Sequence, residues 1–205
     1  MNNTLDTLDK AVDVVRQENV ARILDCAERL FRHYGYGKTN VADIARELGM
    51  STANIYRFFA SKVEIHQAVC GRMLATCYQL TYDACHSPGT ASERLRRYVQ
   101  THYQWTRDTM LDQEKVHEMV VVAIERDWHV IERHIDRIRG LVAEVISEGI
   151  AAGEFADQDP EVASRCFGAA IITLCHPQMV AQCLAKKNRA MPDELIEFAI
   201  RALKK

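Results

Sequence analysis

The sequence predicts an all-α protein, and three observations support this prediction. Apolar residues recur every three or four positions over almost the whole 205-residue chain, which is the spacing of one helix face. No convincing stretch shows the apolar and polar alternation of a half-buried strand. Proline and glycine are few, at four and nine residues, and we find them where such helices could end. We therefore expect about nine helices.

The first two helices are predicted from an apolar face and from their end signals. The first helix ends at Gly35 and Gly37. A second, very short helix starts with Asn40 as its N-cap and Asp43 three residues later, and it stops at Gly49. The apolar face of the first helix consists of Val20, Ile23, Leu24, Ala27, Leu30, Phe31 and Tyr34.

The next two helices are predicted from serine caps. Ser51 would cap a third short helix from Thr52 to about Phe59, and Ser61 would cap a long fourth helix from Lys62 to about Cys85. Two short helices that are joined by a glycine turn and backed by longer helices form a helix-turn-helix.

Five more helices complete the predicted chain. Pro177 lies inside the eighth, where it removes one backbone hydrogen bond and should bend the helix. The apolar faces or ranges of the fifth to ninth helices are Leu95 to Thr106, Val116 to Ala123, Trp128 to Val145, Glu161 to about Lys186, and Asp193 to Leu203.

Charge and composition divide the chain into three parts. Residues 1–17 form a polar segment that is either an arm or extra helix, 18–62 a helix-turn-helix domain, and 63–205 a helical body. The whole chain has a net charge of −2, but the segment from Arg16 to Lys62 carries +3. A basic domain on an acidic body favours a polyanionic partner.

The stretch GMSTANIYRFFASK, from Gly49 to Lys62, leaves one face of the third helix without an internal role. Ile44, Leu48 and Ile55 supply the shared apolar core. The major groove of DNA is wide enough to admit a helix, and hydroxyl groups and basic side chains hold phosphates. The remaining side chains would then face outward: Thr52, Ala53, Asn54, Tyr56 and Arg57.

The segment ILDCAERLFRHYGYGKTNVADIARELGMSTANIYRFFASKVEIHQAV resembles the DNA-binding domain of the TetR family of bacterial regulators. The resemblance covers about a quarter of the chain. It implies a homodimer that binds a palindromic operator in duplex DNA, and a helical body whose small-molecule effector spreads the two DNA-binding domains. Repression is the implied outcome.

The resemblance also implies individual DNA contacts. Thr39 and Asn40 would contact phosphates, Tyr56 and Lys62 further phosphates, and Arg57 would also address the DNA. Phe58 departs from the family pattern, and we expect an apolar contact with sugar or a thymine methyl there. Base edges would be read by Thr52, Ala53 and Asn54, and the whole predicted interface is Thr39, Asn40, Ser51, Thr52, Ala53, Asn54, Tyr56, Arg57 and Lys62.

The body offers bulky, adaptable side chains for an effector and small side chains for a dimer interface. Few charged groups accompany them, so we expect a largely apolar or aromatic effector. The predicted pocket consists of Met73, Cys77, Tyr78, Tyr103, Met110, Met119 and Trp128. The predicted dimer interface consists of Ala169, Ala170, Thr173, Pro177, Leu195, Phe198, Ala199 and Ala202.

Two other functional classes stay open at this point. His66, Cys70 and Cys77 could share a helix face and bind a metal or sense oxidants. An enzyme would use His117 with Glu118, or His129 and His134, but no nucleophile motif or phosphate-binding glycine loop frames them. We therefore expect no catalytic residue, no cofactor and no metal.

The sequence predicts a protein of the cytoplasm that associates with the nucleoid. No apolar run approaches the ~18 residues of a membrane span, and the polar start MNNTLDTLDK is no signal peptide. The seven cysteines form no CxxC pair, which favours reduced thiols that fill small apolar spaces. These are Cys26, Cys70, Cys77, Cys85, Cys166, Cys175 and Cys183.

Overall fold

The structure is a computed structural model that describes residues 2–111, 114–126 and 128–204, with side chains for 13–109, 119–125 and 130–204. This part of the chain contains helices and no strand, so the predicted all-α class is confirmed. None of its helices combines the length and the apolar character that are needed to cross a membrane.

The described residues contain eleven α-helices and one π-helical turn. This is two α-helices more than we predicted. The π-helical turn, Arg107–Leu111, follows α5 directly. The helices are α1 Asn2–Tyr34, α2 Val41–Leu48, α3 Thr52–Tyr56, α4 Lys62–Cys85, α5 Ala91–Thr106, α6 Glu114–Arg126, α7 Trp128–Ala151, α8 Pro160–Ala170, α9 Ile172–Cys175, α10 Pro177–Leu184 and α11 Pro192–Arg201.

The predicted single helix from Glu161 to Lys186 is wrong, because this segment holds three helices, α8 to α10. His176 adopts φ −80° and ψ 120°, an extended conformation, and Pro177 is the first residue of α10. A residue before proline is pushed out of the helical region by the proline ring, so the helix breaks where we had expected it only to bend.

The open question about the N-terminal segment is answered by α1. This helix begins at Asn2 and runs without interruption to Tyr34, so residues 2–17 extend the first helix. The chain forms two compact units, of which the first ends at Cys70 and the second begins at Gly71. The domain limits that we expected at 18–62 and 63–205 stay predictions.

Each unit has its own core. In the first unit, α1 packs on α2 and α2 packs on α3. Ile23, Phe31, Ile44 and Ile55 are completely buried there. The core of the second unit brings together side chains of α4, α5, α7, α8, α9 and α11, with Leu95 and Ile146 among those that solvent does not reach.

Candidate nucleic-acid interface

Helix α2 begins and ends as predicted. The Oδ2 atom of Asp43 accepts a hydrogen bond of 2.9 Å from the backbone N–H of the N-cap residue Asn40. This bond, with further help from Arg46, lowers the pKa of the Asp43 carboxyl. At the other end, Gly49 has φ 65° and ψ 28°, the left-handed conformation that glycine adopts most readily.

Helix α3 is fixed by one cap and one buried residue. The Oγ of Ser51 accepts a hydrogen bond of 3.1 Å from the backbone N–H of Asn54, as expected of an N-cap. Ile55 is completely buried and holds the helix against the unit. The regular helix ends at Tyr56, earlier than predicted, but Phe58 and Phe59 still donate backbone hydrogen bonds to the Ile55 carbonyl.

The opposite face of α3 points to solvent. Thr52, Ala53 and Arg57 are exposed, Asn54 is half-buried, and Tyr56 is 51% exposed. A surface tyrosine of this exposure, between hydroxyl, amide and guanidinium groups, offers hydrogen bonds to phosphates and base edges. The contacts of these side chains with DNA stay a prediction, as do those of the exposed Asn40 and Ser51.

The phosphate contact that we assigned to Thr39 is corrected. Its side chain is 1% exposed, and its hydroxyl donates a hydrogen bond of 2.9 Å to the carbonyl of Gly35. A hydroxyl that is buried and bonded in this way cannot reach a phosphate, so Thr39 closes the turn between α1 and α2. The family pattern gives a threonine at this position but does not show which way it points.

Lys62 has a structural role beside its predicted one. Its Nζ donates a hydrogen bond of 2.7 Å to the carbonyl of Tyr36 and lies 4.2 Å from the centre of the Tyr36 ring. An ammonium group has three donors, so these contacts leave the phosphate contact as a prediction.

Arg16 makes a contact that was not predicted from the sequence. Its guanidinium lies 5.8 Å from the centre of the Phe58 ring, within cation–π range. The N-terminal extension of α1 thereby touches the segment that follows α3, and Phe58 has a partner inside the protein. Arg16 precedes Val20 and Ile23 by four and seven residues, a helical spacing that could have indicated it.

In the second unit, the predicted effector residues differ in their surroundings. Met73, Cys77 and Met119 are buried, whereas Tyr78 and Tyr103 are half-buried against the core. The Arg137 guanidinium lies 3.6 Å from the centre of the Tyr78 ring, a cation that we had not placed there. The side chains of Met110 and Trp128 lie outside the described residues.

A buried polar cluster near these residues was also missed. The Nε2 of His102 lies 3.5 Å from the Sγ of Cys77. Burial, and secondarily the imidazole of His134, lowers the pKa of His102 to about 4. Burial, and secondarily Arg137, lowers the pKa of His134 to about 4. Burial also raises the pKa of Cys77 to about 12, so all three groups are uncharged at neutral pH. His102 lies on the predicted apolar face of α5, and a histidine there was the available signal.

The metal or redox alternative gains no support. Cys70 Sγ lies 3.6 Å from His66 Nε2, but Cys77 contacts His102 instead. Within the described residues, no three His, Cys, Asp or Glu side chains are grouped as metal ligands. All seven cysteines are free thiols. Of the residues considered for an enzyme, the side chains of His117, Glu118 and His129 lie outside the described part.

The predicted dimer residues lie on α8 to α11 or directly after α11, and they differ in exposure. Ala169, Ala170 and Ala202 are exposed, and Phe198 is 65% exposed, which is high for a phenylalanine. Ala199 is buried in the core of its own unit and is therefore not available to a second chain, so its assignment is corrected. The other three are half-buried: Thr173, Pro177 and Leu195.

Comparison with known families and structures agrees with this architecture. The family described as bacterial regulatory proteins, tetR family, matches residues 23–69. The family described as tetracyclin repressor-like, C-terminal domain, matches residues 91–196, which is more than half of the chain. Comparison with curated proteins gave no significant match.

Solved structures share the fold over most of both chains. A TetR/AcrR-family regulator from Thermobifida fusca is 23% identical, with a TM-score of 0.65 over 91% of this chain and 96% of that one. A transcriptional regulator from Saccharomonospora viridis, solved in complex with choline, is 27% identical, with a TM-score of 0.66 over 89% and 94%. FadR from Bacillus subtilis, solved with stearoyl-CoA, is 17% identical, with a TM-score of 0.64 over 88% and 97%. The capped helix-turn-helix and the two family matches lead to one conclusion: the chain belongs to the TetR family of bacterial transcriptional regulators.

Proposed function

We propose that the protein is a repressor that binds a palindromic operator as a homodimer, acts on the nucleoid in the cytoplasm, and is released by a small effector. The observation that carries this proposal is the outward face of α3. Thr52, Ala53 and Asn54 stand at its start and Tyr56 and Arg57 at its end, while Ile55 alone is buried. A helix that presents such a face can enter the major groove.

The exposed faces of α8 and α11 support the homodimer. These two helices contact each other, and they carry Phe198, Ala169 and Ala170 on the solvent side. Two such helices from each of two chains would form an interface of four helices, related by a twofold axis. A twofold dimer requires two half-sites of inverted sequence, which is a palindrome.

Helix α4 supports a coupling between effector and operator. It runs without a break from Lys62 to Cys85 and contains Met73, Cys77 and Tyr78. One element therefore carries both a predicted phosphate contact and three predicted effector residues. Coupling of this kind is typically worth about 1–3 kcal/mol and is reciprocal, so operator DNA should weaken effector binding by the same factor.

The ligands of the similar structures support a small-molecule effector but do not identify it. Choline is a small cation and stearoyl-CoA a large acylated nucleotide, and both were found in proteins of this fold. Ligand chemistry thus varies while the fold is kept, so the effector of this chain has to be inferred from its own residues.

Selection from random duplexes tests the proposal. The purified protein should enrich one inverted-repeat sequence, sediment as a dimer, and lose affinity for that duplex steeply as salt rises. Half-sites should lie one DNA turn, ~34–36 Å, or a multiple of it apart. A monomeric protein that enriches no sequence would contradict the proposal.

A further inference from the structure

Two buried imidazole nitrogens of the second unit lack a partner. Within the part of the chain that the structure describes, neither the Nδ1 of His102 nor the Nδ1 of His176 makes a hydrogen bond, and solvent reaches neither atom. Buried polar groups in folded proteins are nearly always paired, because an unpaired one destabilises the fold. Two such atoms therefore call for an explanation.

Both atoms belong to one region of the second unit. His102 lies one helical turn before Thr106 on α5, and the Thr106 hydroxyl is 3.5 Å from the carbonyl oxygen of Cys175. Cys175 directly precedes His176, at the break between α9 and α10. The π-helical turn Arg107–Leu111 directly follows Thr106 at the end of α5, and such turns occur frequently at functional sites.

The contact with Cys77 determines whether the Nδ1 of His102 donates or accepts a hydrogen bond. Burial keeps the Cys77 thiol protonated, since its pKa is raised to about 12. An imidazole nitrogen accepts hydrogen bonds far better than a thiol sulfur does. The Cys77 thiol therefore donates to Nε2 across 3.5 Å, and the ring proton of the neutral imidazole lies on Nδ1. The unpartnered atom of His102 is a donor.

The groups around this donor carry no charge at neutral pH. Burial lowers the pKa of His134 to about 4, raises that of Cys175 to about 12, and raises that of Tyr98 well above its usual value. The cation found beside the predicted effector residues, Arg137, lies over the Tyr78 ring and is exposed. An ionised ligand would lose its hydration here without gaining a buried counter-ion.

We propose that His102 is the polar anchor of the effector site, and that the effector is an uncharged molecule with a hydrogen-bond acceptor, such as a carbonyl oxygen, on an aromatic or aliphatic frame. The acceptor takes a hydrogen bond from the Nδ1–H of His102. The frame packs against the apolar and aromatic residues of the predicted pocket. The inference rests on the proposed function only in that it takes the second unit to bind a ligand.

The test compares two probes that differ in one acceptor. Acetophenone carries a carbonyl where ethylbenzene has a methylene, and the two are otherwise of similar shape. Calorimetric titration of the full-length protein should show roughly 2- to 10-fold tighter binding of acetophenone, the value of one neutral hydrogen bond. In His102→Leu this preference should disappear. In the control His86→Leu it should persist, because His86 is exposed just after the end of α4, where its ring contacts the carbonyl oxygen of Tyr82.

The stability of His102→Leu gives a second, ligand-independent readout. Because the substitution removes an unpaired buried donor, the melting midpoint of the ligand-free variant should equal or exceed that of the parent protein. A midpoint several degrees lower would mean that the protein itself already satisfies Nδ1, and would overturn the assignment. Equal binding of the two probes, binding of neither, or a preference that survives in His102→Leu would overturn it as well.

Failure of this inference and failure of the proposed function are distinguishable. Binding of the ligand-free parent protein to an inverted-repeat duplex needs no effector and tests the proposed function by itself. If the parent protein binds that duplex while the probe results fail, the repressor survives and the anchor is wrong. If the parent protein enriches no duplex, the proposed function is wrong whatever the probes show.

Discussion

Lys62 stabilises the first unit and is also expected to hold a phosphate. Lys62→Ala removes the hydrogen bond to the Tyr36 carbonyl and the contact with its ring. We expect a loss of about 1–2 kcal/mol in the free energy of unfolding, together with weaker binding to all DNA sequences alike. Urea denaturation measures the first effect and binding to a random duplex the second.

The matched control for Lys62 is Lys38→Ala. Lys38 is exposed and lies in the same basic segment, so this variant removes one positive charge without removing the Tyr36 contacts. Its stability should be within about 0.5 kcal/mol of the parent protein, as is usual for surface substitutions. If Lys62→Ala is equally neutral in stability, the contacts with Tyr36 contribute nothing.

The buried histidines predict a loss of stability in mild acid. Burial lowers the pKa of His102 and of His134 from 6.5 to about 4, so the unfolded chain binds these protons first as pH falls. The free energy of unfolding is therefore unaffected by these two histidines above about pH 6.5, and it decreases progressively as the pH falls from there toward 4. The slope can reach about 1.4 kcal/mol per pH unit for each histidine.

Denaturation of His102→Leu across this pH window checks the assignment. Near His102 lie the Cys77 thiol and the Tyr98 and Trp105 rings, none of which titrates between pH 4 and 6.5. His134 also lies close and does titrate in this window, so its part of the profile should remain in the variant. The pKa values of the Asp43 and Glu154 carboxyls are lowered, so they act at more acidic pH. The variant should have a flatter profile; an unchanged profile would show that His102 does not titrate here.

At the scale of elements, two glycines of α7 give opposite predictions. A Cβ at Gly140 would meet no atom within 4 Å, so Gly140→Ala should raise the free energy of unfolding by about 0.5–1 kcal/mol. A Cβ at Gly149 would overlap the Phe155 ring and approach the Cβ of Ala91 to 2.8 Å. Gly149→Ala should therefore lower it by about 1–3 kcal/mol.

Urea denaturation of these two variants tests how tightly α7 is packed. Both substitutions make the same chemical change in the same helix, so helix propensity cancels in the comparison. Two equally stabilised variants would mean that the contact between Gly149 and Phe155 is looser than described.

Helix α11 carries the prediction for the dimer interface. Phe198 is 65% exposed, so Phe198→Asp should leave the fold of one chain intact but place a charge in the proposed interface. Analytical ultracentrifugation should show a monomer at micromolar concentration, and affinity for the selected duplex should fall with it. Tyr82→Asp, on an exposed position of α4, is the control and should stay dimeric. A dimeric Phe198→Asp would exclude Phe198 from the interface.

The sequence predicted those elements whose ends are coded locally. The cap at Asn40, the left-handed turn at Gly49 and the start of α4 at Lys62 depend on neighbouring residues, and the structure confirms them. The break at Pro177 was underestimated, since the restriction acts on His176 before it. The end of α3 at Tyr56 was placed too late for a similar reason, because turn hydrogen bonds continue there without regular helix.

The placement of three side chains could not be predicted from the sequence. Thr39 was placed on the surface because its pattern position does not reveal the hydrogen bond to Gly35. Ala199 was placed in the dimer interface because a small residue suits both an interface and a core. His102 meets Cys77 only because α4 and α5 pack together, twenty-five residues apart in the sequence.

At the scale of the whole molecule, the central claim is that the outward face of α3 reads the sequence of an operator. Asn54 is the residue best suited to this test, because an asparagine amide reads adenine through two hydrogen bonds. Its side chain is half-buried at the surface of α3, and its backbone N–H is held by Ser51, so Asn54→Ala should keep the fold.

The most direct measurement is the affinity of the dimer for the selected duplex and for a scrambled duplex, with the parent protein, Asn54→Ala and the control Gln79→Ala. Gln79 is exposed in the second unit. We predict that Asn54→Ala loses about 1–3 kcal/mol of binding free energy on the selected duplex and almost nothing on the scrambled one. Gln79→Ala should keep the affinity of the parent protein for both duplexes. Equal losses on both duplexes, or no loss on either, would contradict the claim that α3 reads the operator.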